Sequence, residues 1–202
     1  MNKRIAVIGS GFSSLSAAAY LAKKGFSVKV FEKNQTLGGR ARQLKKNGFT
    51  FDMGPSWYWM PDVFESFYND FGKTTADFYN LERLDPSYQV FFGEKDSISI
   101  GDSLEKIYKL FDKEEKGSSK KLKRFINLAK ENYDIAIKDL VYKPGISPLE
   151  LITPVTIKKI KYFLGNIKND VYKDFKSPKL RQILQFPVLF LGAKPSNTPS
   201  FY

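Results

Sequence analysis

The stretch Lys3-Arg-Ile-Ala-Val-Ile-Gly-Ser-Gly-Phe-Ser-Ser-Leu-Ser-Ala-Ala-Ala-Tyr20 decides the fold. Its apolar run, residues 5–8, is short and continuous, which is typical of a buried parallel strand. Ser13 and the following Ala-rich residues predict a helix that ends before Gly25. A second apolar run, Ser27 to Phe31, then predicts a parallel partner strand. The order of these segments predicts a βαβ unit.

Glycines and one acid occupy the positions that a dinucleotide needs in such a unit. Gly9 permits the tight turn after the first strand, and Gly11 lets the backbone approach a pyrophosphate at the positive end of the helix dipole. Glu32 ends the second strand, about 20 residues further on, where a carboxylate accepts hydrogen bonds from ribose hydroxyls. Ser14 replaces the third glycine of the usual pattern. The alternative is a glycine turn in an α/β protein that binds no nucleotide.

A second glycine block directly follows the ribose acid. Leu37-Gly-Gly-Arg-Ala41 offers two unhindered backbones and the guanidinium of Arg40, whose fork geometry suits phosphate. A domain that binds only NAD has no need of this block, so it favours FAD. Next comes Gly48-Phe-Thr-Phe-Asp-Met-Gly-Pro-Ser56, which predicts a short alternating strand and a Gly-Pro turn.

Together these blocks resemble the N-terminus of the FAD-dependent, amine oxidase-like flavoproteins, and within them the bacterial-type phytoene desaturases of the carotenoid desaturase and isomerase family. The blocks that carry the resemblance are residues 7–15, 31–41 and 51–56, and residues 186–202 resemble the middle of that family. The implied fold class is α/β, with a Rossmann-like FAD-binding start followed by a mainly helical region.

The resemblance also implies roles for individual residues. The ADP half of FAD would lie against Gly9, Gly11, Ser14 and Glu32, and the pyrophosphate and ribityl region against Gly39, Arg40 and Ala41. The flavin ring would lie near Gly54, Pro55 and Ser56. The same blocks supply the remaining cofactor-binding candidates, which are Phe12, Ser13, Lys33 and Gly38. No catalytic residue and no metal ligand is predicted.

Members of that family are much longer than 202 residues and carry a second FAD-contacting segment that this sequence does not match. We therefore expect an N-terminal fragment that holds FAD poorly by itself. Residues 1–100 are predicted to be the FAD-binding part, and residues 101–202 a basic, helical part that faces substrate and membrane.

Composition restricts the chemistry. The chain contains no Cys and no His, so disulfides, thiolate metal sites and Ser-His-Asp or Cys-His catalysis are excluded within these residues. A cofactor that carries the redox chemistry suits such a chain. The sequence predicts no leader and no membrane-spanning segment, and therefore a cytoplasmic protein. It specifies no oligomeric state.

The net charge of +12 comes mainly from lysines. Nucleic acid is not an expected partner, because the lysines are scattered and no recognition module is present. A helix is predicted from Thr153-Pro154 to Val171, with Ile157, Ile160, Leu164 and Ile167 on one stripe and lysines elsewhere. This pattern predicts peripheral binding to an anionic membrane, and the alternative is a helix packed on its own domain.

The predicted function is FAD-dependent desaturation of an apolar polyene, a phytoene-type carotenoid precursor. Two alternatives stay open: another amine oxidase-like flavin oxidoreductase that acts on a small amine, and an inactive, truncated nucleotide-binding module.

Overall fold

A computed structural model describes residues 3–54 and 57–201. The chain divides into two compact units, Met1–Leu81 and Glu82–Tyr202. Pro55 and Ser56, which were predicted to lie near the flavin, fall outside the described residues.

The first unit begins with the predicted βαβ arrangement. Strand β1 (Arg4–Ile8) is followed by helix α1 (Phe12–Lys23) and strand β2 (Ser27–Phe31). The two strands are parallel, and Val7 pairs with Val30. The α/β, Rossmann-like prediction is therefore confirmed.

A hairpin and a short helix complete the first unit. Strands β3 (Gln43–Lys46) and β4 (Phe49–Asp52) are antiparallel and are joined by Asn47 and Gly48, which both have positive φ. A type I′ turn requires this conformation, and Asn-Gly adopts it readily. Only the second strand was predicted, with Gly48 wrongly placed in it. Helix α2 (Pro61–Asn69) starts at a proline, whose fixed φ suits the first helical turn.

The second unit is one hairpin packed on helices. Strands β5 (Tyr88–Gly93) and β6 (Asp96–Ile100) are antiparallel. One of its helices continues directly into a π-helical turn, and another into a 3-10 segment. In chain order these elements are α3 (Leu104–Glu114), α4 (Ser118–Ile135), the π-helical turn Ala136–Leu140, α5 (Pro154–Lys158), α6 (Ile160–Leu164), α7 (Ile167–Asp174), α8 (Pro178–Gln185) and the 3-10 segment Phe186–Leu191.

The core of the second unit explains where the chain divides. Ile98 and Ile100 of β6 are buried together with Phe111, Leu122 and apolar residues of α7 and α8. Because the hairpin packs on these helices, the division falls after residue 81, whereas the sequence analysis placed it after residue 100. The roles assigned to the two predicted regions stay predictions.

The prediction of one continuous helix from residue 153 to 171 is wrong, because the chain forms three short helices there. Lys159 leaves the helical conformation, Gly165 is extended, and the Asn166 side chain accepts a hydrogen bond from the Asn169 amide at 2.9 Å to begin α7. Leu164 is 82% exposed, whereas Val171 is fully buried. The predicted apolar stripe therefore does not lie on one continuous face.

Two helix starts of the second unit are set by short-range chemistry. The Ser103 side chain caps α3 by accepting from the Lys106 amide, and α4 begins at Ser118 directly after Gly117, which has positive φ. Among residues 3–54 and 57–201, no helix combines the length and apolar character that a membrane crossing needs.

Candidate dinucleotide-binding site

The turn between β1 and α1 is shaped by its two glycines. Gly9 has a φ of +90° and donates its amide to the Phe31 carbonyl at 2.7 Å, which ties the turn to β2. Gly11 is extended and precedes α1 without offering a side-chain acceptor. The first turn, from Phe12 to Leu15, contains no acid. The first amides of α1 thus face no acid of their own turn, and the pyrophosphate assigned to this end of the helix stays a prediction.

Glu32 accepts four hydrogen bonds at the end of β2. Its Oε2 accepts from the Ser10 amide at 2.8 Å and from the Ser10 hydroxyl at 2.7 Å. Its Oε1 accepts from the Asn34 amide and side chain, both at 2.8 Å. Hydrogen bonds from Ser10, and then from Asn34, lower the pKa of Glu32 to about 2. The carboxylate is therefore ionised at any pH at which the protein would work.

The second glycine block lies against the first. Gly38 donates its amide to the Ser10 carbonyl at 3.0 Å. Gly39 has a φ of +60°, and a Cβ on it would lie 3.1 Å from the Cα of Gly11. A Cβ on Gly54 would collide with the carbonyl oxygen of Arg40. Side chains are therefore excluded where these backbones meet.

A cavity of about 740 Å³ opens at this junction, a volume typical of small-molecule sites. Seven predicted residues line it, together with Arg42 and Met53, which the sequence analysis did not single out. The seven are Gly11, Phe12, Ser13, Gly38, Arg40, Ala41 and Gly54.

Five predicted residues do not line the cavity. Gly9, Glu32 and Gly39 shape or support its walls through the contacts above. Ser14 has its hydroxyl 3.8 Å from where a Cβ of Gly9 would lie, so a serine fits in place of the third glycine. Lys33 is exposed.

Sequence reasoning missed Ser10, Asn34 and Arg42. Ser10 stands between two motif glycines and was given no role, and Asn34 lies two residues after the motif acid. Arg42 donates to the Gly39 carbonyl at 3.1 Å and adds a second guanidinium to the cavity. The Arg-Ala-Arg spacing was its only signal in the sequence.

Fold and site together define a Rossmann-like dinucleotide-binding protein. The family described as NAD(P)-binding Rossmann-like domain matches residues 7–71, which include both glycine blocks and Glu32. A solved structure of a putrescine oxidase variant has a TM-score of 0.53 at 19% identity, over 98% of this chain and 40% of that one. This likeness shows a shared fold.

Sequence relatives are more specific. A carotenoid 3,4-desaturase of Haloarcula japonica is 40% identical over 205 residues, which cover 98% of this chain and 41% of that protein. A 4,4'-diapophytoene desaturase (4,4'-diaponeurosporene-forming) of Staphylococcus haemolyticus is 35% identical over 200 residues, which cover 98% of this chain and 40% of that protein. The chain belongs to the carotenoid desaturase family and corresponds to its N-terminal part. It spans about two fifths of the length of these relatives.

Proposed function

We propose that this chain is the nucleotide-binding part of an FAD-dependent desaturase that acts on a phytoene-type polyene. The observation that carries the proposal is the contact between two glycine loops, where Gly39 approaches Gly11 beside a cavity lined by Arg40 and Arg42. A site for NAD alone has no need of the second loop.

The described residues fit the ADP half of FAD. The amides at the start of α1 and the guanidiniums of Arg40 and Arg42 would bind the diphosphate. Ionised Glu32 would accept hydrogen bonds from the ribose hydroxyls. At Oε1 these hydroxyls would take the place of the exposed donors of Asn34. Gly54 is proposed to lie near the flavin, as are Pro55 and Ser56. Bound flavin would supply the hydride acceptor for an allylic C–H of the polyene.

Similarity favours desaturation over amine oxidation. The two desaturases are 40% and 35% identical to this chain, whereas the putrescine oxidase variant is 19% identical. The names of the desaturases specify carotenoid substrates, which are long apolar molecules. By this relationship we assign the chain a polyene substrate.

We also propose that the second unit meets an anionic membrane surface, where such a substrate dissolves. Residues 146–164 expose eight large apolar side chains, and Lys158 and Lys161 are exposed among them. An apolar surface with neighbouring lysines favours a lipid interface. The eight are Ile146, Leu149, Leu151, Ile152, Val155, Ile157, Ile160 and Leu164.

Absorbance spectroscopy and a turnover assay test the proposal. The complete reading frame should purify yellow, with a flavin spectrum, and should convert phytoene in anionic vesicles to coloured products. A colourless protein that binds NADH but not FAD would contradict the cofactor assignment. A yellow protein that oxidises a diamine and leaves phytoene unchanged would favour the amine oxidase alternative.

A further inference from the structure

Ser10 is the buried centre of the candidate nucleotide site. It is fully buried and lies between Gly9 and Gly11. Its amide and hydroxyl both donate to Oε2 of Glu32, and its carbonyl accepts from the Gly38 amide at 3.0 Å. One residue thus joins the first glycine loop, the ribose acid and the second glycine loop.

The two donors of Ser10 make the two oxygens of the Glu32 carboxylate different from each other. Oε2 is held on the part-buried side at 2.7 and 2.8 Å, whereas Oε1 has only the exposed donors of Asn34. A glutamate side chain loses much rotamer freedom when it is fixed. Fixing it before the ligand arrives lowers the entropic cost of binding.

We infer that Ser10 is a positioning residue, whose hydroxyl holds Glu32 so that Oε1 is presented to the ribose hydroxyls of an adenine dinucleotide. This inference rests on the proposed function, because it assumes that Glu32 binds the ribose. Alanine at position 10 would keep the backbone donor and remove the hydroxyl, so the side chain can be tested separately from the loop.

The protonation of Glu32 supplies an independent readout. The groups that lower its pKa are the hydrogen-bond donors of Ser10 and Asn34, and burial opposes them. Without the Ser10 hydroxyl, the pKa of Glu32 should rise towards its ordinary value. The affinity of a Ser10→Ala variant should then fall relative to the native chain as the pH is lowered from 7 to 4.

The experiment measures binding of ADP-ribose by calorimetry to the complete protein from which flavin has been removed. Ser10→Ala should weaken binding about five- to tenfold, the scale of one ordinary intramolecular hydrogen bond. Ser16→Ala removes from α1 a hydroxyl that donates to the Ser13 carbonyl, and it should leave affinity unchanged. In a Glu32→Ala background, Ser10→Ala should change affinity less than twofold, since the acceptor of its hydroxyl is already removed.

Each outcome of the binding experiment either supports or overturns the inference about Ser10. Failure of the native chain to bind ADP-ribose at millimolar concentration would refute the nucleotide site, and the inference with it. Native binding with an unchanged Ser10→Ala variant would overturn the inference alone. An equal loss in both backgrounds would show that Ser10 acts independently of Glu32 and would also overturn it. If Ser10→Ala unfolds by circular dichroism, Ser10→Cys, a weaker donor, replaces it under the same criteria.

Discussion

Substitution of Gly39 by alanine tests the contact between the two glycine loops. At a φ of +60° an alanine costs about 1–2 kcal/mol, because its Cβ crowds the carbonyl. The new Cβ would also lie 3.1 Å from the Cα of Gly11, so one loop must move by a few tenths of an ångström. Crowding of this kind adds about 1 kcal/mol or more. Gly39→Ala should therefore lose about 2–3 kcal/mol of folding free energy.

Gly25→Ala is the matched control for this variant. Gly25 has a φ of +85° but open space around the position of a Cβ, so only the backbone cost applies. Thermal unfolding followed by circular dichroism should place Gly39→Ala below Gly25→Ala. For a chain of this size each kcal/mol lowers Tm by about 2–4 °C. Equal melting temperatures would refute the argument that the two loops touch.

Three further predictions concern Glu32, the lysines and the whole chain. Because the folded pKa of Glu32 is lowered to about 2, its stabilising contribution is present above its ordinary pKa of 4.5 and is lost as pH falls towards 2. Glu32→Gln should therefore lose less stability than the native chain in that pH window, and equal losses in the two proteins would contradict the hydrogen-bond network. Lys158→Glu with Lys161→Glu should reduce flotation of the complete protein with anionic liposomes at moderate salt, whereas Lys45→Glu with Lys46→Glu in the first unit should not. Residues 1–202 alone should form no coloured carotenoid in cells that accumulate phytoene, and colour from these residues would show that they contain a whole active site.

The start of the fold could be predicted because its signals are local. The strand, the glycine turn, the helix and the second strand each follow from neighbouring residues, and the carboxyl end of β2 brings Glu32 to the turn. The partners of that carboxylate were not predictable in the same way. Ser10 and Glu32 are 22 residues apart, and their hydrogen bond depends on which rotamer the folded turn permits.

The second unit shows where periodicity misleads. Apolar residues from Ile157 to Val171 recur at helical spacing, but Gly165 and the capping side chain of Asn166 interrupt the helix. Strand β3 was missed for another reason. Its residues, Gln43 to Lys46, are all exposed, so no alternation of apolar and polar residues marks them. In the first place a glycine and a cap prevailed over the apolar pattern, and in the second the Asn47-Gly48 turn formed a hairpin that no apolar pattern marked.

The unequal cores of the two units have a consequence for dynamics. In the described part of the first unit only Ser10 and Ala18 are buried, whereas the second unit buries a cluster of eight apolar residues. Regions with few buried contacts open most readily to hydrogen exchange. Amides of β1 and β2 should therefore exchange with deuterium faster than those of α7 and α8. A dinucleotide that binds the first unit only when β1 and β2 are folded would slow this exchange. The ligand would then help to fold its own binding site.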